Sequence, residues 1–60
     1  MDYPTLEEVK KMISLAEERL QKLKVIADGL DTLGKSEASN LRIAISDVIT
    51  PLNIAIEATP

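Results

Sequence analysis

Apolar residues recur along the first half of the chain at alternating intervals of three and four positions. This spacing is the heptad repeat, which keeps one side of an α-helix turned toward a packing partner. Flanking apolar residues widen the row to about half of the helix circumference at 100° per residue. The row consists of Leu6, Val9, Ile13, Ala16, Leu20, Leu23, Ala27 and Leu30, flanked by Met12, Leu15, Ile26 and Leu33.

Polar residues mark the start of this first helix. Thr5 and Glu8 have the spacing of a capping box, in which the threonine side chain accepts a backbone N–H of the first turn. Pro4 and Val9 occupy the positions of the hydrophobic pair that often accompanies such a cap. The helix is therefore predicted to begin at Thr5.

The end of the first helix is less sharply marked. Gly29 interrupts the pattern, but Leu30 and Leu33 continue its apolar side, and a glycine inside a helix costs only about 1 kcal/mol relative to alanine. Gly34 is the preferred stop, with Gly29 as the open alternative. The prediction is a first helix over residues 5–33.

A second amphipathic helix is predicted over residues 36–58, with Ser36 as its N-cap. Pro51 lies inside it, and an interior proline removes one backbone hydrogen bond and kinks the rod. We expect a helix kinked at Pro51; a separate short helix beginning after Thr50 is the alternative. The apolar row is Leu41, Ile45, Val48, Leu52 and Ala55, widened by Ala38, Ala44, Ile49 and Ile56.

Two long helices with a short link fold back on each other, so the prediction is an all-α, two-helix antiparallel hairpin with residues 1–60 as one domain. Each apolar row is wider than the roughly 100° that one partner helix covers. A chain of 60 residues without cysteine, phenylalanine or tryptophan has few other means of stabilising a small core. We therefore expect a homodimer that forms a four-helix bundle. The predicted core and dimer interface consists of Leu6, Val9, Ile13, Leu20, Leu23, Leu30, Leu41, Ile45, Val48, Leu52 and Ile56.

Composition argues against several classes of function. Seven Lys and Arg residues against ten Asp and Glu residues give a net charge of −3 with no basic stripe, so nucleic-acid and membrane binding are not expected. Histidine and cysteine are absent, which removes the usual zinc ligands and acid–base groups. We predict no enzyme activity, no metal and no cofactor. The acidic N-terminus and the lack of cysteine favour a cytoplasmic location.

The segment GLDTLGKS, residues 29–36, matches the phosphate-binding pattern G-x-x-x-x-G-K-[ST]. That pattern binds phosphate only where a buried strand leads into the loop and a helix follows it. Residues 24–28 continue the helical pattern instead, and Asp47 follows Ser36 too closely to end a second strand. The favoured interpretation is a helix end, a linker lysine and a helix start, with nucleotide binding as the less favoured alternative.

A few residues fall outside the apolar rows. Ile43 and Ile54 are eleven residues apart, which places them within about 20° on the far side of the second helix. They are a candidate ridge for binding another protein, or two isolated exposed side chains. Glu8 and Arg19 border the first row and are predicted to make rim contacts across a subunit interface.

The sequence therefore predicts a noncatalytic, self-associating helical protein that acts through protein–protein interaction. Its expected partners are a second copy of itself and another, larger protein, for which it would be a small regulator or inhibitor of the phage or plasmid type. A purely structural oligomerisation module is the alternative.

Overall fold

The computed structural model describes residues 5–60 as two α-helices, α1 (Leu6–Asp28) and α2 (Lys35–Ala58), which pack against each other. The predicted helical hairpin is confirmed. The helices contain 23 and 24 residues, so each is about 35 Å long. Their similar lengths allow α1 and α2 to run side by side from end to end.

Helix α1 starts where its capping sequence predicts. Thr5 has extended backbone angles (φ −74°, ψ 161°), and its Oγ1 accepts the Glu8 N–H at 3.3 Å. The Thr5 carbonyl accepts the Val9 N–H at 3.2 Å, which begins the helical hydrogen bonds. Pro4, the predicted packing partner of Val9, lies outside the described residues.

Helix α1 ends at Asp28, so the predicted continuation to residue 33 is wrong and the alternative stop at Gly29 is the correct one. The Gly29 N–H bonds to the carbonyl groups of both Val25 and Ile26, each at 3.2 Å. Such shared bonds are typical of the last turn of a helix.

Two local effects explain the early stop. Glycine loses more backbone entropy in a helix than any other residue, and a helix that continued to residue 33 would also contain Asp31, a residue of low helix propensity. Ending at Gly29 leaves Leu30 half-buried and Leu33 exposed. The apolar pattern in the link therefore resembled a helix face without forming one.

Helix α2 begins at Lys35 with Gly34 as its N-cap, so the prediction of Ser36 as N-cap is wrong. Gly34 has extended angles (φ −72°, ψ 178°), and its carbonyl accepts the Ala38 N–H at 2.8 Å. The Glu37 carboxylate lies against Gly34, where a Cβ would overlap it. A negative group at the start of a helix is stabilising, so the backbone of Gly34 and the charge of Glu37 together replace a side-chain cap.

Helix α2 runs without a break through Pro51. The alternative of a separate helix after Thr50 is therefore excluded. Pro51 is less than 2% exposed and lies against α1. One residue earlier, the Thr50 hydroxyl donates to the Ser46 carbonyl at 2.9 Å, a bond that often accompanies a local bend in a helix.

The contact between α1 and α2, called the seam below, has small side chains at its most buried positions. Its most buried residues are Ala16, Pro51 and Ala55. Half-buried side chains extend the seam on the same sides of the helices: Val9, Met12, Arg19 and Leu23 on α1, and Leu41, Ala44, Val48 and Ala58 on α2. The hairpin thus encloses only a thin core.

Candidate functional site: an exposed apolar face

Many of the large aliphatic side chains of the hairpin lie outside the seam. Seven of them, with 38% to 69% of their surface exposed, form two rows next to the seam. These residues, called the apolar face below, are Leu6, Ile13 and Leu20 on α1 and Ile45, Ile49, Leu52 and Ile56 on α2.

Both rows lie on the same side of the hairpin. Ile13 of α1 lines one open groove together with Leu52 and Ile56 of α2, and the floor of that groove includes Val9 and Ala55 from the seam. Helical geometry gives the same result, because each row is offset from the seam in the same rotational sense, and antiparallel helices then present both rows to one side. The apolar face is therefore continuous across the two helices.

The predicted core and interface residues separate into two groups in the hairpin. One group faces the seam and is half-buried: Val9, Leu23, Leu30, Leu41 and Val48. The other group is exposed on the apolar face: Leu6, Ile13, Leu20, Ile45, Leu52 and Ile56. A single hairpin thus covers about half of the predicted set and leaves the other half in solvent.

The sequence pattern gave less weight to two neighbours of these residues. Ile49 lies within the α2 row and is 46% exposed, although the heptad spacing makes it only a flanking position. Leu33 of the link shares a groove with Leu41 and Ile45 at the turn end of the hairpin. The apolar pattern of the sequence included Leu33, but it placed this residue in the first helix and not in the link.

Arg19 also differs from expectation, because the structure places it in a contact within the chain. Its Nη1 donates to the backbone carbonyl of Asp47 on α2 at 2.8 Å. The side chain is half-buried beside Ala16 and Leu23, at a seam position that a hydrophobic residue would normally occupy. The sequence does contain a signal for this contact, because Pro51, four residues after Asp47, leaves that carbonyl without a helical donor.

Ile43 and Ile54 lie away from the apolar face. Ile43 is 61% exposed and Ile54 is 49% exposed. Ile54 lines a second groove, on the other side of the seam, with Met12 and Ala58. The two isoleucines are therefore exposed at the surface of the hairpin, and Ile54 is part of a groove.

The phosphate-binding pattern falls on the link and the start of α2. Residues 24–28, where the pattern requires a strand, belong to α1. Gly29 ends α1, Gly34 caps α2, and Lys35 is the first residue of α2. The segment is therefore a helix end followed by a helix start, as the favoured interpretation has it, but Lys35 belongs to α2 and is not a linker residue.

The described residues contain neither a metal-binding cluster nor a bilayer-spanning helix. Within residues 5–60, no three acidic, histidine or cysteine side chains lie close enough to hold a metal ion. In the same part of the chain, neither helix is long and apolar enough to cross a membrane. The apolar face is thus the most developed surface feature of the hairpin.

Comparisons with protein families, curated proteins and solved structures found no match for this chain. The geometry and chemistry of the apolar face are therefore the basis on which a function is proposed.

Proposed function

We propose that this chain is a noncatalytic, self-associating helical protein, in which two hairpins pack their apolar faces together as a four-helix bundle. The observation that carries the proposal is the continuous row of seven exposed Leu and Ile side chains on one side of the hairpin. Aliphatic patches of this extent are rarely left in water by soluble proteins, and those that persist are usually binding surfaces.

The solvent-exposed area of the chain is larger than that of a compact monomer, which supports association with a partner. The chain exposes 5013 Å², whereas a compact monomer of 6.6 kDa exposes about 3,900 Å². Subtracting about 700 Å², an upper bound for the area that any four residues can expose, still leaves several hundred Å² of excess. A stable interface covers about 800 Å² on each partner, which is the scale of cover that the hairpin needs.

A second copy is the simplest partner for this surface. A twofold axis places the same patch on both sides of an interface, and the apolar face consists of one chemical class of side chain. Lys10, Glu17 and Lys24 border its α1 row at heptad spacing. Because the border carries both signs of charge, two copies need not repel each other along it.

The proposed activity is binding, through the dimer or through a further protein partner that contacts Ile43 and Ile54. A cytoplasmic location is part of the same proposal, since a chain without cysteine has no disulfide that would need an oxidising compartment. A purely structural oligomerisation module remains the alternative, and it differs only in having no partner besides itself.

Sedimentation equilibrium at micromolar concentration tests the self-association. The expected mass is twice the 6.6 kDa of one chain. The variant Ile13→Glu/Leu52→Glu places four carboxylates in the interface of the dimer, and it is expected to weaken association by a factor on the order of a thousand or more.

Val25→Glu is the matched control, because Val25 is 73% exposed on the opposite side of α1. It adds the same type of charge and should leave the mass unchanged. A wild-type chain that is helical, melts cooperatively and sediments as a monomer would contradict the proposal.

A further inference from the structure

One carbonyl group in the middle of α2 lacks its helical partner. In an α-helix the carbonyl of residue 47 would accept the N–H of residue 51. Pro51 has no N–H, and its ring also pushes against the carbonyl four residues earlier. Pro51 is almost completely buried, whereas the Asp47 carbonyl lies at an exposed edge of the seam.

The missing donor is supplied by the other helix. Arg19 Nη1 donates to the Asp47 carbonyl oxygen at 2.8 Å, a distance typical of a strong, charge-assisted hydrogen bond. On α1, Met12, Ala16 and Leu23 occupy the neighbouring seam positions. A guanidinium group among these side chains needs an acceptor, and the vacant carbonyl lies directly opposite.

Apart from this bond, the side chains on the α2 side of the seam only weakly favour one lengthwise alignment of α1 and α2 over another. Ala44, Pro51 and Ala58 recur at intervals of seven, and so do the half-buried or buried Leu41, Val48 and Ala55. Side chains that repeat every seven residues can pack acceptably when one helix slides by seven residues, which is about two turns. A single polar contact in such a setting selects the alignment in which it is satisfied.

We infer that Arg19 fixes the register of α1 against α2 by donating to the carbonyl that Pro51 leaves free. In this register Ile13 lies in the same groove as Leu52 and Ile56, so Arg19 is a positioning residue for the apolar face. The consequence for partner binding rests on the proposed self-association, whereas the register itself does not.

A double-mutant cycle tests the donor role. Arg19→Leu, Pro51→Ala and the double variant are unfolded with urea at one protein concentration and compared with the wild type. When Pro51 is present, Arg19→Leu leaves the Asp47 carbonyl without a donor; in the Pro51→Ala background, the backbone N–H of the new alanine replaces that donor. We expect Arg19→Leu to raise the unfolding equilibrium constant about tenfold more in the wild-type background than in the Pro51→Ala background.

Met12 provides a separate reading of the register. It is one of two methionines, and it lines a groove with Ile54 and Ala58 on the side of the hairpin away from the apolar face. NMR of the methyl-labelled wild type should show one Met12 signal with contacts to both residues. Arg19→Leu should add a second Met12 signal, with contacts about two helical turns away along α2.

The outcomes separate this inference from the proposed function. Equal effects of Arg19→Leu in the two backgrounds, or an unchanged Met12 signal with its original contacts in Arg19→Leu, overturn the inference. A wild-type monomer that keeps the expected Met12 contacts and the coupling to Pro51 contradicts self-association while leaving the role of Arg19 supported.

Discussion

The most buried positions of the seam hold smaller side chains than the apolar face does. The most buried residues of the seam are two alanines and a proline, whereas the apolar face consists of seven Leu and Ile side chains. Burying a Leu or Ile side chain stabilises a protein by about 1.5–3 kcal/mol, and an alanine offers much less surface. Most of the hydrophobic stabilisation that this chain can gain therefore lies outside the single hairpin. The small residues bring the two helices close together, and the large ones remain for a partner.

The strongest test of this difference is to shorten a residue of the apolar face. Leu52 is 38% exposed in the hairpin, so Leu52→Ala would cost an isolated chain about 1–2 kcal/mol, less than the loss of a fully buried leucine. If the face is buried in a dimer, the substitution removes a core side chain and is expected to lower the free energy of unfolding by about 2–4 kcal/mol per chain. Urea denaturation monitored by circular dichroism measures the change.

The dependence of unfolding on protein concentration shows whether Leu52→Ala acts on a dimer or on an isolated chain. Unfolding of a dimer shifts to higher urea as the concentration rises, because association stabilises the folded state by mass action. The wild type should show this shift. On dilution, Leu52→Ala should lose its folded state at a higher protein concentration than the wild type does. A loss of about 1–2 kcal/mol or less that is the same at every concentration would count against burial of the face, since that is the size expected for an isolated chain.

Enlarging a residue of the seam tests the other half of the comparison. Ala16 is only 4% exposed, and the space opposite it is filled by α2. Ala16→Leu is expected to cost about 1–3 kcal/mol through overpacking. This loss should not depend on protein concentration, because the clash lies inside one chain. Ala16→Ser, which adds a single atom, is the control and should cost less; a harmless Ala16→Leu would mean that the seam is not closely packed.

The elements of the fold could be predicted from the sequence where two independent signals agreed. The start of α1 had both a capping pair and the first residue of the heptad row, and Thr5 does cap the helix. The end of α1 had conflicting signals, since Gly29 opposed the apolar pattern of Leu30 and Leu33. Periodicity alone favoured the longer helix, and the poor helix propensity of Gly29 and Asp31 opposed it.

The division of the apolar row between seam and surface could not be predicted in the same way. A row that covers half of a helix can turn either of its edges toward the partner, and the heptad spacing of Leu6, Ile13 and Leu20 is as regular as that of Val9, Ala16 and Leu23. The structure turns the smaller edge inward. Small residues allow a closer approach of the helices, but that preference becomes visible only when both helices are considered together.

The smallest expected effect concerns the apolar residues that belong to neither region. Ile43 and Ile54 are about as exposed as the residues of the apolar face, yet they lie on the other side of α2. Ile43→Ser/Ile54→Ser should change the free energy of unfolding by no more than about 0.5 kcal/mol per site and leave the mass of the assembly unchanged. Urea denaturation and sedimentation measure both quantities, with Ile45→Ser/Leu52→Ser as the matched pair on the apolar face. If the two pairs weaken association equally, then exposure alone, and not position on the apolar face, determines which side chains contribute to association. If only Ile45→Ser/Leu52→Ser weakens association, Ile43 and Ile54 remain free to bind a different protein.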